Sequence, residues 1–305
     1  MKNLVFALIA VIAFASCSSG EQKNCTEKRV KGVEHVVIIG CDAFGAYAYP
    51  KANIPNIKAL AANGGLAKVA RSVLPSSSAV NWSSMIMGAS PSLHGYTEWG
   101  SRTPEIPSAA VSKYGKFPSI FNVIKDSMPN AKTAAIYSWG GIGYLFDKEV
   151  VDFNFHSEGN EDLTADSAVA IIKREKPLLT WVVFDQPDGA GHKYGHDTEG
   201  YYNELQRIDS LVGKVVEATK EAGIFDNTVF VLLGDHGGID KGHGGKTVEE
   251  VNITWLISGK GAKKNYTIEN PVIIYDTAPT IAWLFGLNMP EAWRGKPVKE
   301  AFNLN

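Results

Sequence analysis

A chain of 305 residues, 45 % of them apolar and 20 % charged, can form one large globular domain without disulfide or metal staples. Its formal net charge of −2 excludes the strongly basic face that a nucleic-acid polymer or an anionic membrane surface favours, so neither is expected as a partner.

The N-terminus reads as an address. Lys2 supplies one positive charge, and residues 4–15 are almost unbroken apolar sequence. That run is too short for a helix crossing a bilayer, which takes about 20 residues, and has the layout of a secretory signal. Phe14-Ala15-Ser16-Cys17 resembles a bacterial lipoprotein cleavage box, in which the Cys becomes the lipidated N-terminus. The expected organisation is a signal peptide over 1–16, a tether over 17–30 and one catalytic-size domain over 31–305. The expected location is the bacterial cell envelope, with a lipid anchor at Cys17 in the periplasm or at the outer membrane. The plainer alternative is an ordinary signal peptide with an incidental Cys. Cys25 and Cys41 are expected as free thiols, although export permits a bridge.

Along the rest of the chain, strand-like and helix-like segments alternate. Residues 35–40 (HVVIIG) form a short apolar, β-branched run, which predicts a buried strand. A helix is predicted over 56–62, and strands over 133–137 and 178–184. Residues 83–87 predict a short helix ended by Gly88. Leu205, Ile208, Leu211, Val212, Val215 and Val216 recur at helical spacing, which predicts a helix over 204–222 stopped by Gly223. Strands are predicted over 228–233 and 253–257, and a last helix over 276–285. Residues 99–118 read as an irregular insertion. Continuous apolar strands alternating with helices predict a three-layer α/β/α sandwich with a mainly parallel central sheet.

In such sheets, sites form beyond the carboxyl ends of the strands. The first strand is followed by Cys41-Asp42. The 178–184 strand is followed by Asp185-Gln186-Pro187-Asp188-Gly189-Ala190-Gly191-His192, and the 228–233 strand by Gly234-Asp235-His236-Gly237-Gly238 and then His243. Three strands thus deliver carboxylate and imidazole to one rim, a donor set that suits zinc, manganese or a similar ion. The serine-rich loop Pro75-Ser76-Ser77-Ser78 leads towards a helix, where a hydroxyl or an incoming phosphate meets favourable backbone dipoles. Taken singly, an Asp-His-Gly is more often a turn, and a serine there more often a helix cap; the conjunction carries the reading.

Together these segments resemble the alkaline phosphatase superfamily, and within it the type I phosphodiesterase/nucleotide pyrophosphatase family, with kinship to the metal-dependent phosphomutases. Further matching segments are Ile54-Pro55-Asn56 with Gly64-Gly65, Pro91-Ser92-Leu93-His94-Gly95 and Tyr275-Asp276-Thr277-Ala278-Pro279-Thr280. The resemblance implies two divalent metal ions, zinc or else manganese, with Asp42, Asp235 and His236 on one and Asp188, His192 and His243 on the other. It places Ser78 as nucleophile and a small phosphate ester as substrate. Asn81 is a candidate catalytic donor to that substrate. The seven-residue spacing of His236 and His243 is phosphomutase-like, with Thr247 and Glu249 as supporting residues. Two departures bear on specificity: Trp99 stands where the family has a phosphate-holding Asn, and Ala79 where it often has a base-stacking aromatic. Both imply an open site with poor discrimination between bases. Ser78-Ala79-Val80-Asn81-Trp82 lacks the Pro and Arg of a sulfatase. The implied function is hydrolysis of phosphodiester or pyrophosphate bonds. Phosphomonoester or phosphonate hydrolysis is the alternative, followed by a non-catalytic anchored binding protein. Export disfavours a mutase. His196 reads either as a group near the substrate or as a solvated loop histidine. Trp139 and Tyr144 read as a substrate face or as simple packing.

Overall fold

The computed structural model describes residues 28–304, so the signal segment, Cys17 and Cys25 lie outside the described residues. The described chain contains ten strands: β1 (His35–Asp42), β2 (Gly64–Ala67), β3 (Ala70–Arg71), β4 (Thr133–Tyr137), β5 (Phe153–His156), β6 (Leu179–Pro187), β7 (Thr228–Leu233), β8 (Trp255–Gly259), β9 (Tyr266–Ile268) and β10 (Val272–Ile273). Eight of them make one sheet in the order β5-β4-β6-β1-β7-β8-β2-β9, while β3 and β10 pair separately.

Side-chain alternation along the strands explains the layers. Val36 and Ile38 of β1 enter one core with Trp82, Phe121 and Trp283, whereas Val37, Ile39 and Cys41 enter the other with Leu205, Ile208 and Val212. Helices Ser78–Met87, Ile120–Ser127 and Thr277–Phe285 therefore cover one face, and Pro55–Ala62, Glu161–Glu175 and Glu199–Glu221 the other. The expected α/β/α sandwich is the fold observed. Cys41 is a buried free thiol, and Val30, assigned to the tether, already belongs to the first core.

The sheet is mixed rather than uniformly parallel. β4, β5, β6, β1 and β7 run parallel, but β8 is antiparallel to both β7 and β2. Parallel pairing needs a crossover element. Between β7 and β8 the only helix is the four-residue Val248–Val251, so the chain turns back instead. Two helix starts also differ from the sequence reading. The predicted 204–222 helix begins at Glu199, because fully buried Tyr201 extends its apolar face by a turn. The predicted 83–87 helix begins at Ser78, which makes Ser78 its first residue rather than part of the preceding loop.

Candidate metal centre and active site

The site lies beyond the carboxyl ends of β1, β6 and β7. Asp42 ends β1, Asp188 opens the helix Asp188–Tyr194 immediately after β6, and Asp235 and His236 follow β7. His192 lies four residues after Asp188 on that helix, one turn on, so both side chains share a face. His192 Nε2 is 3.1 Å from an Asp188 carboxylate oxygen. His243 arrives on the loop after β7, its Nε2 3.7 Å from Asp188 Oδ1. His236 Nε2 is 3.3 Å from Asp42 and 3.4 Å from Asp235.

The ligand atoms fall into two compact groups: Asp188 with His192 and His243, and Asp42 with Asp188 and His236, each mutually within 4.8 Å. All six residues implied as ligands converge. Their division differs from the implied one, since Asp188 belongs to both groups while Asp235 flanks the second through His236.

Two observations test the fit to divalent cations. First, all three imidazoles place Nδ1 on a backbone carbonyl: His192 on Lys241 at 2.8 Å, His236 on Gly237 at 2.8 Å and His243 on Ser76 at 3.1 Å. A carbonyl only accepts, so Nδ1 carries a proton and Nε2 is the nitrogen turned to the carboxylates, able to present its lone pair to a cation once its own proton is displaced. This is the tautomer selected in metal-ligating histidines. Second, Asp42 Oδ1, Asp188 Oδ1 and Asp235 Oδ2 are buried without any hydrogen-bond partner. Buried carboxylate oxygens without a donor are strongly unfavourable unless protons or a cation sit among them. The donor set fits divalent cations.

Protonation follows the same logic. Hydrogen bonding to Asp188 lifts His192 to about 9. Burial opposes charge on His236, but Asp235, Asp42 and Asp188 outweigh it and push His236 up to about 10. Burial, reinforced by Asp42, raises the Asp235 carboxyl well above its ordinary range. Without cations the cluster thus holds protons in their place, and cations bound there would displace them.

Each ligand is braced. Trp82 Nε1 donates to Asp42 Oδ2 at 3.2 Å. Its ring reaches Asp42 by lying across Gly40, where a Cβ would come within 2.4 Å of it. Ala43 adopts the left-handed conformation (φ 57°), which is costly for a non-glycine residue, and its N–H donates to Asp235 Oδ1 at 3.0 Å. The His243 loop is clasped to the serine loop: Ser76 Oγ donates to Gly245 O at 2.7 Å and accepts from Gly244 N at 3.1 Å.

Ser78 is buried at the start of its helix, with Oγ 3.2 Å from His236 Nε2. Asn81 does not act as the expected donor to substrate. Its amide donates to the carbonyls of Val73, Pro75 and Ser77, and its Oδ1 accepts from Val73 N at 2.7 Å. Every polar atom is committed to shaping the loop before Ser78, so Asn81 is a positioning residue. His94 likewise is structural: Tyr96 N–H donates to its Nδ1, its Nε2 lies 2.9 Å from Ser84 Oγ, and burial lowers its pKa to about 3.

Sequence reasoning missed three supporting groups. Glu250, rather than the exposed Glu249, holds the His243 loop by accepting from Gly245 N, Thr247 N and Thr247 Oγ1. Glu161 Oε1 and Ser138 Oγ both accept from Asp185 N–H, steadying the end of β6 before Asp188. The signal for Glu250 was the Thr-x-x-Glu capping box starting at Thr247; Glu161 and Ser138 left none. His196 is not solvated: it is 5 % exposed, Nδ1 is 3.5 Å from the Tyr47 hydroxyl, and Nε2 has no hydrogen-bond partner.

A cavity of about 460 Å³ has a lining that includes Trp99, Trp139, Tyr144 and His156. Trp99 O accepts from Ala79 N at 3.1 Å, so this wall is tied to the residue next to Ser78. Trp99 and Trp139 stack with centroids 6.5 Å apart at 24°. Ala79 is itself buried and offers no stacking face, as expected. The site is nonetheless not featureless, because Trp99 and Trp139 provide aromatic surface from elsewhere in the chain.

Comparison with known proteins agrees with this geometry. Residues 36–252 match the family model described as type I phosphodiesterase / nucleotide pyrophosphatase. The rat ectonucleotide pyrophosphatase/phosphodiesterase family member 3 is 24 % identical over 242 residues, which cover 73 % of this chain and 26 % of that protein. A 2,3-bisphosphoglycerate-independent phosphoglycerate mutase from Haloarcula marismortui is 27 % identical over 176 residues, covering 53 % of this chain and 33 % of the mutase. The chain therefore spans about a quarter to a third of the length of these relatives. Among solved structures, murine ectonucleotide pyrophosphatase/phosphodiesterase 5, an inactive form in complex with AMP, superposes with a TM-score of 0.70 at 13 % identity, covering 88 % of this chain and 100 % of that one. With the strand-end Asp and His clusters in place and most of the chain matched by the family model, the chain belongs to the type I phosphodiesterase/nucleotide pyrophosphatase family.

Proposed function

We propose that the protein is a metal-dependent hydrolase of phosphodiester or pyrophosphate bonds in small molecules, acting through a phosphoseryl intermediate on Ser78. The observation that carries this reading is the placement of Ser78 Oγ, buried at a helix N-terminus and 3.2 Å from His236 among three aspartates and three histidines. Two divalent cations, zinc or else manganese, held by Asp42, Asp235, His236, Asp188, His192 and His243 with Asp188 reaching both, would supply the charge that acidifies the serine hydroxyl and stabilises the phosphoryl oxygens.

The remaining work falls to the chain's own groups. Ser78 gives up its hydroxyl proton, Oγ bonds to phosphorus, and the P–O bond to the departing alcohol or phosphate breaks. Water then cleaves the Oγ–P bond, returning the serine hydroxyl and releasing the phosphorylated product. The N-terminus of the Ser78–Met87 helix favours the negative charge that collects there. Asn81 and Ser76 hold the loop so that Oγ is presented before substrate arrives. We also read the protein as exported and anchored to the bacterial envelope through an acylated Cys17, on the strength of the Phe14-Ala15-Ser16-Cys17 box.

The test is turnover of bis-p-nitrophenyl phosphate and p-nitrophenyl phosphate by the zinc- and manganese-loaded protein, alongside Ser78→Ala. The wild type is expected to hydrolyse the diester. Ser78→Ala should abolish turnover while keeping its metal content. A loss below about tenfold, ~1.4 kcal/mol of barrier, would show that another group attacks. Absence of turnover by the metal-loaded wild type on either ester would favour the binding-protein reading instead.

A further inference from the structure

The cavity lined by Trp99, which is bonded through its backbone to Ala79, carries charge that the hydrolysis reading leaves unused. Arg102 and Lys148 both line it, and both sit over the ring of Tyr144, with Arg102 Cζ 5.1 Å and Lys148 Nζ 5.8 Å from its centroid. Among the described residues neither makes an ion pair with a carboxylate, whereas ten lysines and arginines elsewhere on the described surface do. Two like charges packed against one ring repel each other, and the ring's attraction only partly offsets this. A single anion between them would relieve the repulsion.

The aromatic faces point the same way. Trp99 is 66 % and Tyr144 40 % exposed, which leaves large rings uncovered at the mouth of a cavity. Glycines let two of the lining rings pack directly on the backbone of the cavity wall. At Gly141 a Cβ would lie 2.2 Å from the Trp139 ring, and at Gly140 one would lie 2.9 Å from the ring of His156. The cavity is thus walled by aromatic rings and lined by two cations that have no carboxylate partner among the described residues.

We infer that this cavity receives an aryl or heteroaryl ester group bearing a second, anionic substituent, its ring on Trp99 and Trp139 and its anion at Arg102 and Lys148. The shared chemistry of the substituent is a carboxylate, sulfonate or phosphate. Arg102 and Lys148 are then specificity determinants, remote from the reacting bond. This deepens the hydrolase reading and rests on it for turnover, but the binding of an aryl anion does not depend on it.

Two arms separate the readings, both with the full, metal-loaded chain. The first compares kcat/KM for methyl 3-(carboxymethyl)phenyl phosphate and its neutral carboxymethyl ester, whose leaving groups are closely matched. The anionic diester should be preferred about tenfold or more, and Arg102→Met/Lys148→Met should reduce that ratio to about one. Arg102→Glu should invert it. The second titrates naphthalene-2-sulfonate against naphthalene-2-sulfonamide, reading quenching of tryptophan fluorescence. The sulfonate should bind at least tenfold more tightly, and the double variant should lose that advantage. Thermal melts of the two variants, both at surface positions, confirm that they are folded. Turnover without the preference, or a preference that survives in the double variant, overturns this inference and leaves the hydrolase reading standing. Selective sulfonate binding in a protein that turns over neither diester overturns the hydrolase reading and leaves the anion-binding cavity standing.

Discussion

Glu161 offers a quantitative test of how the site is held. It is the first residue of its helix, 4 % exposed, with Oε1 accepting from Asp185 N–H at 3.1 Å and Oε2 buried without a partner. Burial outweighs the help of Ser138 and Asp185 and raises its carboxyl from 4.5 to about 7. Because the folded-state pKa is the higher one, the associated stability is fully present below about 4.5 and is lost as pH rises to about 7. At 1.36 kcal/mol per unit, the loss amounts to roughly 3 kcal/mol. Glu161→Gln keeps an acceptor for Asp185 N–H but cannot ionise, so it should match wild type near pH 4 and exceed it by up to ~3 kcal/mol at pH 8. For a domain of this size that is roughly 6–12 °C in melting temperature. Urea or thermal unfolding of both proteins from pH 4 to 8, with metal content held constant, gives the difference directly. Parallel curves across the window from 4.5 to 7 would refute the reasoning and mean that water or a rearranged partner already satisfies Oε2.

The division of ligands makes Asp188 unlike the others: Asp188→Asn should deplete both metal positions, whereas His192→Ala should deplete one, as read by elemental analysis of purified protein. Equal metal loss in the two variants would contradict a shared Asp188. Trp82→Phe removes the N–H that orients Asp42, together with part of the buried ring that lies across Gly40, and should weaken metal affinity about 10–100-fold, the usual cost of losing such a support, measured by competition with a chromophoric chelator. Cys17→Ser should release the protein from detergent-extractable membranes or block its processing; a wild type that is wholly soluble in the periplasm would remove the anchor.

The convergence of the six candidate ligands was legible in the sequence because strand ends are where an α/β sheet delivers chemistry, and apolar β-branched runs mark strand ends well. The same logic failed for pairings between loops. Nothing in the local pattern distinguishes Asp188 as belonging to both groups, since that depends on how far β6 and the helix after it carry the carboxylate towards β1. Asn81 misled for a related reason. Its position one turn after Ser78 resembles that of a substrate donor, but an amide at that point can equally fold back onto the loop carbonyls, and here it does. The antiparallel turn of β8 was hidden because a buried strand carries the same apolar run in either direction.

The aromatic cavity shows how far single substitutions can be read. Ala79 and Trp99, taken one at a time against the family pattern, suggested lost contacts and an open site. In three dimensions Ala79 is buried, so an aromatic there would have to displace the core around it. The exposed ring is supplied by Trp99, whose backbone is bonded to Ala79, and by Trp139 from the end of β4. Exposed aromatic surface is therefore supplied by the 99–118 insertion and the β4 loop rather than by the Ser78 helix, and Arg102 and Lys148 line the same cavity. The 99–118 insertion supplies none of the side-chain bonds that brace Asp42, Asp235, His192 and His236, whereas the β4 loop also steadies the end of β6 through Ser138. On the proposed reading, specificity and metal chemistry sit on separate parts of the site, and substitutions in the insertion should alter which ester is cleaved while leaving metal affinity unchanged.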